Sequence, residues 1–300
     1  MNLAHTSLRR LARAATVLVP VAAILGACDR RPTATTDGAG GSVAPRARAP
    51  TRPRVPLQVP GDDTIPAGVE GELVRRGRVL ATRTFEELPA LVGADLHCTS
   101  CHLEAGTRAN AAPWVGVTSV YPEYRDREGR EITIEERIDA CFERSVNGRA
   151  PVHESGEMKA LVAYMTWLSR DVPKGSEVIG RGFAKLERPP NIDSDSGKNS
   201  YAVRCASCHG IDGQGKRADD GSYQLPPLWG DHSFNIGAGM ARLDTAAAFV
   251  RHNMPLGQAE SLTLWESYDI AAYFTEQGRP DFARKGSDWP HGGKPRDARY

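Results

Sequence analysis

This sequence of 300 residues lacks several features that would point to large classes of protein. Its formal net charge is only +1, so bulk charge gives no indication of a nucleic-acid partner. Its longest apolar run near the N-terminus, residues 14–25, is shorter than the roughly 20 residues that a membrane-spanning helix needs. Cysteine and methionine are scarce, with six and five residues, so each of them can be considered individually.

The first 27 residues have the pattern of an export signal. Three arginines, Arg9, Arg10 and Arg13, precede the apolar run, which ends in LGAC. This ending resembles a lipoprotein cleavage box and predicts that Cys28 is the acylated first residue of the mature chain. The alternative is a plain signal cut near Ala27. Both place the mature protein outside the cytoplasm, and we expect a periplasmic protein anchored to a membrane through Cys28.

Composition then divides the remaining chain. Residues 28–65 are rich in Pro, Ala, Gly, Thr and Arg and predict a disordered tether, because they have little to bury. Beyond the tether we expect an all-α protein of two domains in tandem, residues 66–180 and 181–285. A C-terminal tail, residues 286–300, follows them.

Each predicted domain contains one C-x-x-C-H motif, CTSCH or CASCH. This spacing is the attachment signature of c-type haem, in which both thiols form thioethers and the histidine binds the iron. A zinc site or a redox dithiol is the alternative, but two copies in an exported chain favour two covalently attached haems. The attachment residues are Cys98, Cys101 and His102 for the first haem, and Cys205, Cys208 and His209 for the second.

The second half resembles a class I cytochrome c domain. A helix, with Ser196 as its expected cap, leads into the second motif. The loop LPPLWG, Leu225–Gly230, is expected to orient His209 through a carbonyl. A final helix begins with the capping box of Thr263 and Glu266.

The second haem needs a distal ligand well downstream of its motif. Met254, followed by proline, has the pattern usual for such a ligand, and His/Met ligation suits electron transfer. Met240 and His252 are the competing candidates.

The first half repeats this order, with a cysteine in place of the methionine. Cys141 precedes Tyr164 by about as many residues as Met254 precedes Tyr273, so we expect Cys141 to be the distal ligand of the first haem. A buried inert thiol or an intermolecular disulfide is the alternative role for this cysteine. The competing ligands are Met158, Met165 and His153.

The sequence around Cys141 predicts a helix with one functional face. Thr133 and Glu136 form a capping box at its start. Arg137, Cys141 and Ser145 follow at i, i+4 spacing and therefore share a face. A guanidinium next to the thiol would lower the thiol pKa and could bind an oxyanion.

These features together resemble the family of dihaem, tetrathionate-forming thiosulfate dehydrogenases. The likeness extends from Leu88 to the C-terminus, and its most specific stretch is APWVGVTSVYPEYRDREGREITIEERIDACFERSVNG, Ala112–Gly148. The segments CASCHG and HNMPLG and the end DWPHGGKPRDARY also fit.

The resemblance implies a role for each matching residue. Cys141 would be both distal ligand and catalytic thiol, and Met254 would be the distal ligand of the second haem. Arg127, Arg137 and Ser145 match the family's substrate pocket. Some members have lysine where this chain has Asn253, so a lysine-based ligand exchange is not expected here.

The implied activity is the coupling of two thiosulfates to tetrathionate, in either direction. Electrons would pass through the second haem to a soluble or membrane-bound cytochrome-type acceptor. Other sulfur anions, including organic persulfides, remain open as substrates. Two other functions are a non-catalytic dihaem electron carrier and a haem subunit of a sulfur-oxidising complex that acts on a carrier-protein thiol. We expect no nucleic-acid partner, and membrane contact only through Cys28.

Overall fold

The computed structural model describes residues 51–219 and 223–300. The export signal, Cys28 and residues 28–50 of the predicted tether therefore lie outside the described residues. Among the described residues, no helix has the length and apolar character that crossing a membrane requires.

Helices dominate the described residues, and each strand is only two or three residues long. The helices are α1 Gly68–Thr82, α2 Thr84–Glu87, α3 Leu103–Gly106, α4 Val117–Val120, α5 Ile134–Arg144, α6 Gly156–Ser169, α7 Ser194–Arg204, α8 Ala206–His209, α9 Leu243–Asn253 and α10 Leu264–Glu276. The strands are β1 Arg54–Val55, β2 Glu123–Arg125, β3 Arg130–Ile132, β4 Glu177–Val178, β5 Lys216–Arg217 and β6 Tyr223–Leu225. Three two-stranded pairings, β1 with β4, β2 with β3 and β5 with β6, complete the fold.

Two helix crossings repeat along the chain and confirm the two tandem cytochrome-like domains. In the first domain α1 packs across α6, and in the second α7 packs across α10. A glycine at each crossing allows close approach, because a Cβ on Gly77 would lie 2.0 Å from the Ala160 carbonyl oxygen. A Cβ on Gly197 would lie 1.9 Å from the carbonyl oxygen of Asp269. The same contact therefore builds both domains.

The two domains are joined by a shared core. Phe234, Ala238 and Ala241 of the second domain belong to the buried cluster that the helices of the first domain form. Asn235, only 2% exposed, donates from its side-chain amide to the carbonyl of Glu143 at 2.8 Å. The second domain thereby supports the C-terminal end of α5.

The C-terminal tail packs on the first domain. The Asp288 carboxylate is 3% exposed, lies 2.7 Å from the Arg144 guanidinium and accepts a hydrogen bond from the hydroxyl of Tyr300. The Trp289 backbone donates to the Arg127 carbonyl at 2.8 Å. A buried carboxylate needs such cationic and hydrogen-bonding partners, so these contacts hold the tail against the first domain.

Two expectations are wrong in detail. The tether was expected to extend to residue 65, but β1 pairs with β4, and Leu57 and Ile65 pack against the first core. A few apolar side chains suffice here because the segment docks on a surface that is already folded. Helix α7 begins two residues before the expected cap Ser196, since the Asp193 carboxylate accepts from the first-turn amides.

Replacing Gly77 by alanine should destabilise the protein. The added Cβ clashes with backbone and with the Tyr164 Cβ, neither of which is a flexible chain end. We expect a loss of about 1–3 kcal/mol in the free energy of unfolding, from overpacking. The gain of about 1 kcal/mol that alanine brings to a helix reduces the net loss by that amount. Denaturant unfolding of the holo-protein measures the change.

The matched control is Gly156→Ala, at the first turn of α6, where a Cβ meets no atom within 4 Å. It should be neutral or slightly stabilising. Equal stabilities for the two variants would contradict the close crossing of α1 and α6.

Candidate functional site

The first haem-attachment motif lines a cavity of 310 Å³ in the first domain. Cys98, Cys101, His102 and Cys141 all contribute to its wall. The His102 Nδ1 lies 2.6 Å from the Ala112 carbonyl oxygen. Because a carbonyl only accepts, Nδ1 carries the proton and Nε2 is left free as a ligand.

The three thiols of this cavity differ in acidity. Burial raises the pKa of Cys98 to about 11 and that of Cys101 to about 12. Burial acts against ionisation of Cys141 too, but the charge of the neighbouring Arg137 guanidinium outweighs it, and the pKa of Cys141 is lowered to about 7. Cys141 is therefore the thiol most readily converted to thiolate, the form that binds metals and attacks sulfur.

Helix α5 presents Cys141 together with two polar neighbours. The predicted capping box starts the helix, with the Glu136 amide donating to Thr133 Oγ1 at 3.3 Å. One turn later the Arg137 Nη1 lies 3.1 Å from the Cys141 Sγ, and the charge of Cys141 raises the pKa of Arg137. Ser145, one turn beyond, also lines the cavity. The predicted common face of the three residues is confirmed.

Arg127 does not line the first cavity. Its Nη1 donates to the Gly237 carbonyl at 2.6 Å, and its guanidinium stands 4.9 Å from the ring centroid of Trp289. Burial, with Arg144 close by, lowers the pKa of Arg127 to about 10. The structure thus places Arg127 between the domains and the tail, and its role in binding substrate stays a prediction.

Other wall residues are not marked as site residues by the sequence. Among them are Tyr121, Arg125, Arg181 and Arg242. The guanidinium groups of Arg125 and Arg181 lie 3.3 Å and 2.9 Å from the carboxylate of Glu123. Arg125 lies within the stretch that resembles the family and could have been singled out. Arg181 and Arg242 come from distant segments, and no local pattern marks them.

The competing ligands of the first haem have different positions. Met165 lines the same cavity as Cys141. Met158 is buried in the first core without contributing to the wall, and His153 binds Asp139 at 2.7 Å. The geometry therefore leaves Cys141 and Met165, of which only Cys141 is paired with an arginine.

The second motif lines a larger cavity, of 520 Å³. Cys205, Cys208, His209 and Met254 contribute to its wall. The His209 Nδ1 lies 3.0 Å from the Pro226 carbonyl oxygen, in the loop that was expected to orient it. Met240 is in this wall as well. His252 is not, and it lies 3.1 Å from Glu260.

A thin partition separates the two cavities. Leu96, His97 and Cys101 contribute to the walls of both. A group attached to Cys101 therefore adjoins the second cavity directly, which favours electron exchange between the two sites.

The residues present fit two c-type haems. Each cavity combines two cysteines with a histidine oriented by a carbonyl, and lies among apolar side chains. Across the described ranges, 51–219 and 223–300, no three His, Cys, Asp or Glu side chains converge as a metal-ion site would require. Neither motif therefore has the ligand set of a structural zinc site.

Comparisons with known proteins agree with this architecture. Residues 92–173 match the model for the SoxA/TsdA cytochrome c domain, and residues 194–277 match the model for cytochrome c. A thiosulfate dehydrogenase of Psychrobacter arcticus is 49% identical over 81% of this chain and 74% of its own length. One from Allochromatium vinosum is 45% identical over 81% of this chain and 91% of its own.

A solved structure also matches. It is the thiosulfate dehydrogenase TsdBA of Marichromatium purpuratum in its as-isolated form, with a TM-score of 0.72 and 39% identity. The match covers 76% of this chain and 50% of that one, so this chain accounts for half the length of the solved protein.

The two methionines of the second cavity can be distinguished by substitution. We expect Met254→Leu to abolish the methionine-to-iron charge-transfer band of the holo-protein and to lower the midpoint potential of the second haem, since a thioether ligand raises it. Met240→Leu is the matched control in the same wall and should leave the band in place. Loss of the charge-transfer band in Met240→Leu alone would instead identify Met240 as the distal ligand of the second haem. Absorption spectroscopy of the oxidised protein measures it.

Proposed function

The chain belongs to the thiosulfate dehydrogenase family, and we propose on this basis that it is a dihaem oxidoreductase coupling two thiosulfates to tetrathionate. One observation carries the proposal beyond the resemblance. The Arg137 guanidinium lies 3.1 Å from the Cys141 thiol, in a cavity wall shared with His102 and two haem-attachment cysteines. An anion-binding group and a sulfur nucleophile therefore meet at a haem site.

Arg137 is the group that binds thiosulfate. A guanidinium forms paired, charge-assisted hydrogen bonds with oxyanions, and the sulfonate end of thiosulfate offers three oxygens. Arg125 and Arg181 add positive charge to the wall, although both are partly neutralised by Glu123. The dianion is thereby held with its outer sulfur towards Cys141.

Cys141 is the group that exchanges sulfur. Its thiolate and the outer sulfur of one thiosulfate form a sulfur–sulfur bond, and two electrons leave. The outer sulfur of a second thiosulfate then attacks the sulfur that came from the first. Tetrathionate departs and the thiolate is regenerated. Two thiosulfates thus give one tetrathionate and two electrons. Each of the two c-type haems would accept one of these electrons.

The order of the two sites sets the direction of electron flow. His102 and Cys141 would hold the first haem, and His209 and Met254 would hold the second; Cys101 lies in the walls of both cavities. Thiolate ligation favours ferric iron, whereas His/Met ligation raises the potential. In the oxidising direction, electrons would therefore move from the reaction site to the second haem and then to a cytochrome-type acceptor. Residues 1–28 support a periplasmic location and a lipid anchor at Cys28.

The two other functions are less well supported. A pure electron carrier has no need for an anion-binding guanidinium such as Arg137, which contacts the Cys141 thiol in the wall of the first cavity. A subunit that acts on a carrier-protein thiol is disfavoured because the relatives and the solved structure match both domains together.

Cys141→Ser should abolish tetrathionate formation while both haems stay attached. Serine lacks the sulfur that forms the bond, whereas Cys98, Cys101, Cys205 and Cys208 are untouched. Tetrathionate is quantified after mixing the holo-protein with thiosulfate and an artificial electron acceptor. Met165→Leu, the other sulfur of the same wall, is the control and should retain activity. Full turnover by Cys141→Ser would rule out the catalytic thiol, and no turnover by the parent protein in either direction would overturn the function.

Arg137→Gln should raise KM for thiosulfate by about 10- to 100-fold, the range for one lost hydrogen bond to a charged group. Arg137→Lys keeps the charge but loses the paired geometry, so its KM should fall between those of the parent and the glutamine variant. Initial rates across a thiosulfate series separate KM from kcat. A lower kcat with unchanged KM would show that Arg137 does not bind the substrate.

A further inference from the structure

One guanidinium in the first cavity comes from the second domain. Arg242 immediately precedes α9 and lines the cavity that contains Cys98, His102 and Cys141. The opposite end of α9 is followed by Met254, which lines the second cavity. A single helix of 11 residues therefore spans from one haem site to the other.

Arg242 differs from the other three arginines of the wall in its partners. Arg137 contacts the Cys141 thiol, and Arg125 and Arg181 contact the Glu123 carboxylate. The Arg242 Nη2 donates to the Thr245 hydroxyl at 3.2 Å, while its Nε is buried and has no hydrogen-bond partner. Within the part of the chain that the structure describes, no carboxylate lies within ion-pair distance of Arg242.

The unpartnered Nε of Arg242 calls for a resident anion. A buried N–H is costly without a hydrogen-bond acceptor, and the half-buried guanidinium that carries it is always charged. A substrate that enters and leaves would leave the charge uncompensated between turnovers. The group that stays in the cavity is the haem attached through Cys98 and Cys101, and each c-type haem carries two propionate carboxylates.

We propose that Arg242 pairs with a propionate of the first haem. The inference relies on the haem site but not on the substrate of the proposed function. The positive charge opposes the charge of the propionate and so favours the reduced iron. Arg242 thereby raises the midpoint potential of the first haem, against the lowering effect of thiolate ligation. The second domain thus contributes to the midpoint potential of the haem in the first domain.

The test is a spectroelectrochemical titration of the holo-protein without thiosulfate, following each haem by its ferric electron paramagnetic resonance signal. Arg242→Gln should shift the first haem to a lower midpoint potential and leave the second unchanged. Arg242→Lys keeps the charge and should restore most of the parent value. The control, Arg296→Gln, removes an exposed arginine at the same end of α9, paired with Asp244, and should shift neither haem.

Three results would overturn the proposal. The first is an unchanged potential in Arg242→Gln with a raised KM for thiosulfate, which would make the bound anion the substrate. The second is an equal shift in Arg296→Gln, which would reflect general surface charge. The third is a lysine variant shifted as far as the glutamine variant, which would reflect structural damage.

A second measurement is used if the Arg242→Gln variant does not fold with both haems attached. The propionate-bending mode in the resonance Raman spectrum reports hydrogen bonds to the propionates. It should shift in Arg242→Lys and stay in place in Arg296→Gln, and an unshifted mode in the lysine variant overturns the pairing. The midpoint potentials and the Raman mode are both measured without thiosulfate. A parent protein that forms no tetrathionate would therefore refute the proposed function, while the pairing of Arg242 would still be decided by these two measurements.

Discussion

The contact between the Arg137 guanidinium and the Cys141 thiol is the constraint on which the rest of the structure depends. Burial alone would keep Cys141 protonated, and the charge of Arg137 reverses this. The pKa of Cys141 stays low only while α5 holds Arg137 and Cys141 one turn apart in the cavity wall. Other contacts fix α5 at both of its ends. A capping box fixes its start, and contacts of Arg144 with the tail and of the second domain with Glu143 fix its end.

The same scaffold is used twice with different results. Both domains cross two helices at a glycine and orient the histidine of C-x-x-C-H through a carbonyl. They differ in where the distal ligand is placed. Cys141 lies inside α5, so residues one turn away can bracket it, whereas Met254 follows the end of α9 and has no such bracket. The first arrangement suits a site that binds and converts an anion. The arrangement at Met254 suits a site that only transfers electrons. Cys101, which lies in the walls of both cavities, brings the two haem sites close together.

The features that could be predicted are those set by short stretches of chain. The capping boxes at Thr133 and Thr263 and the common face of α5 follow from spacing within a few residues. The carbonyl that orients His209 lies in the expected loop, at Pro226. The expectations that failed depend on distant partners. A composition poor in apolar residues predicts a tether as far as residue 65, yet Leu57 and Ile65 pack against the first core. Arg181 and Arg242 carry no local signal, because only folding brings them to the cavity.

By itself the sequence determined the two haem-attachment sites, the helical architecture and the thiol with an arginine one turn away, because covalent chemistry and helical periodicity act over a few residues. Only the tertiary structure decided which charges surround that thiol. It placed Arg127 against Trp289 and the tail and brought Arg242 of the second domain into the first cavity. The physical reason is that the pKa of a buried group depends on every charge and dipole nearby in space, and those neighbours come from segments far apart in the chain.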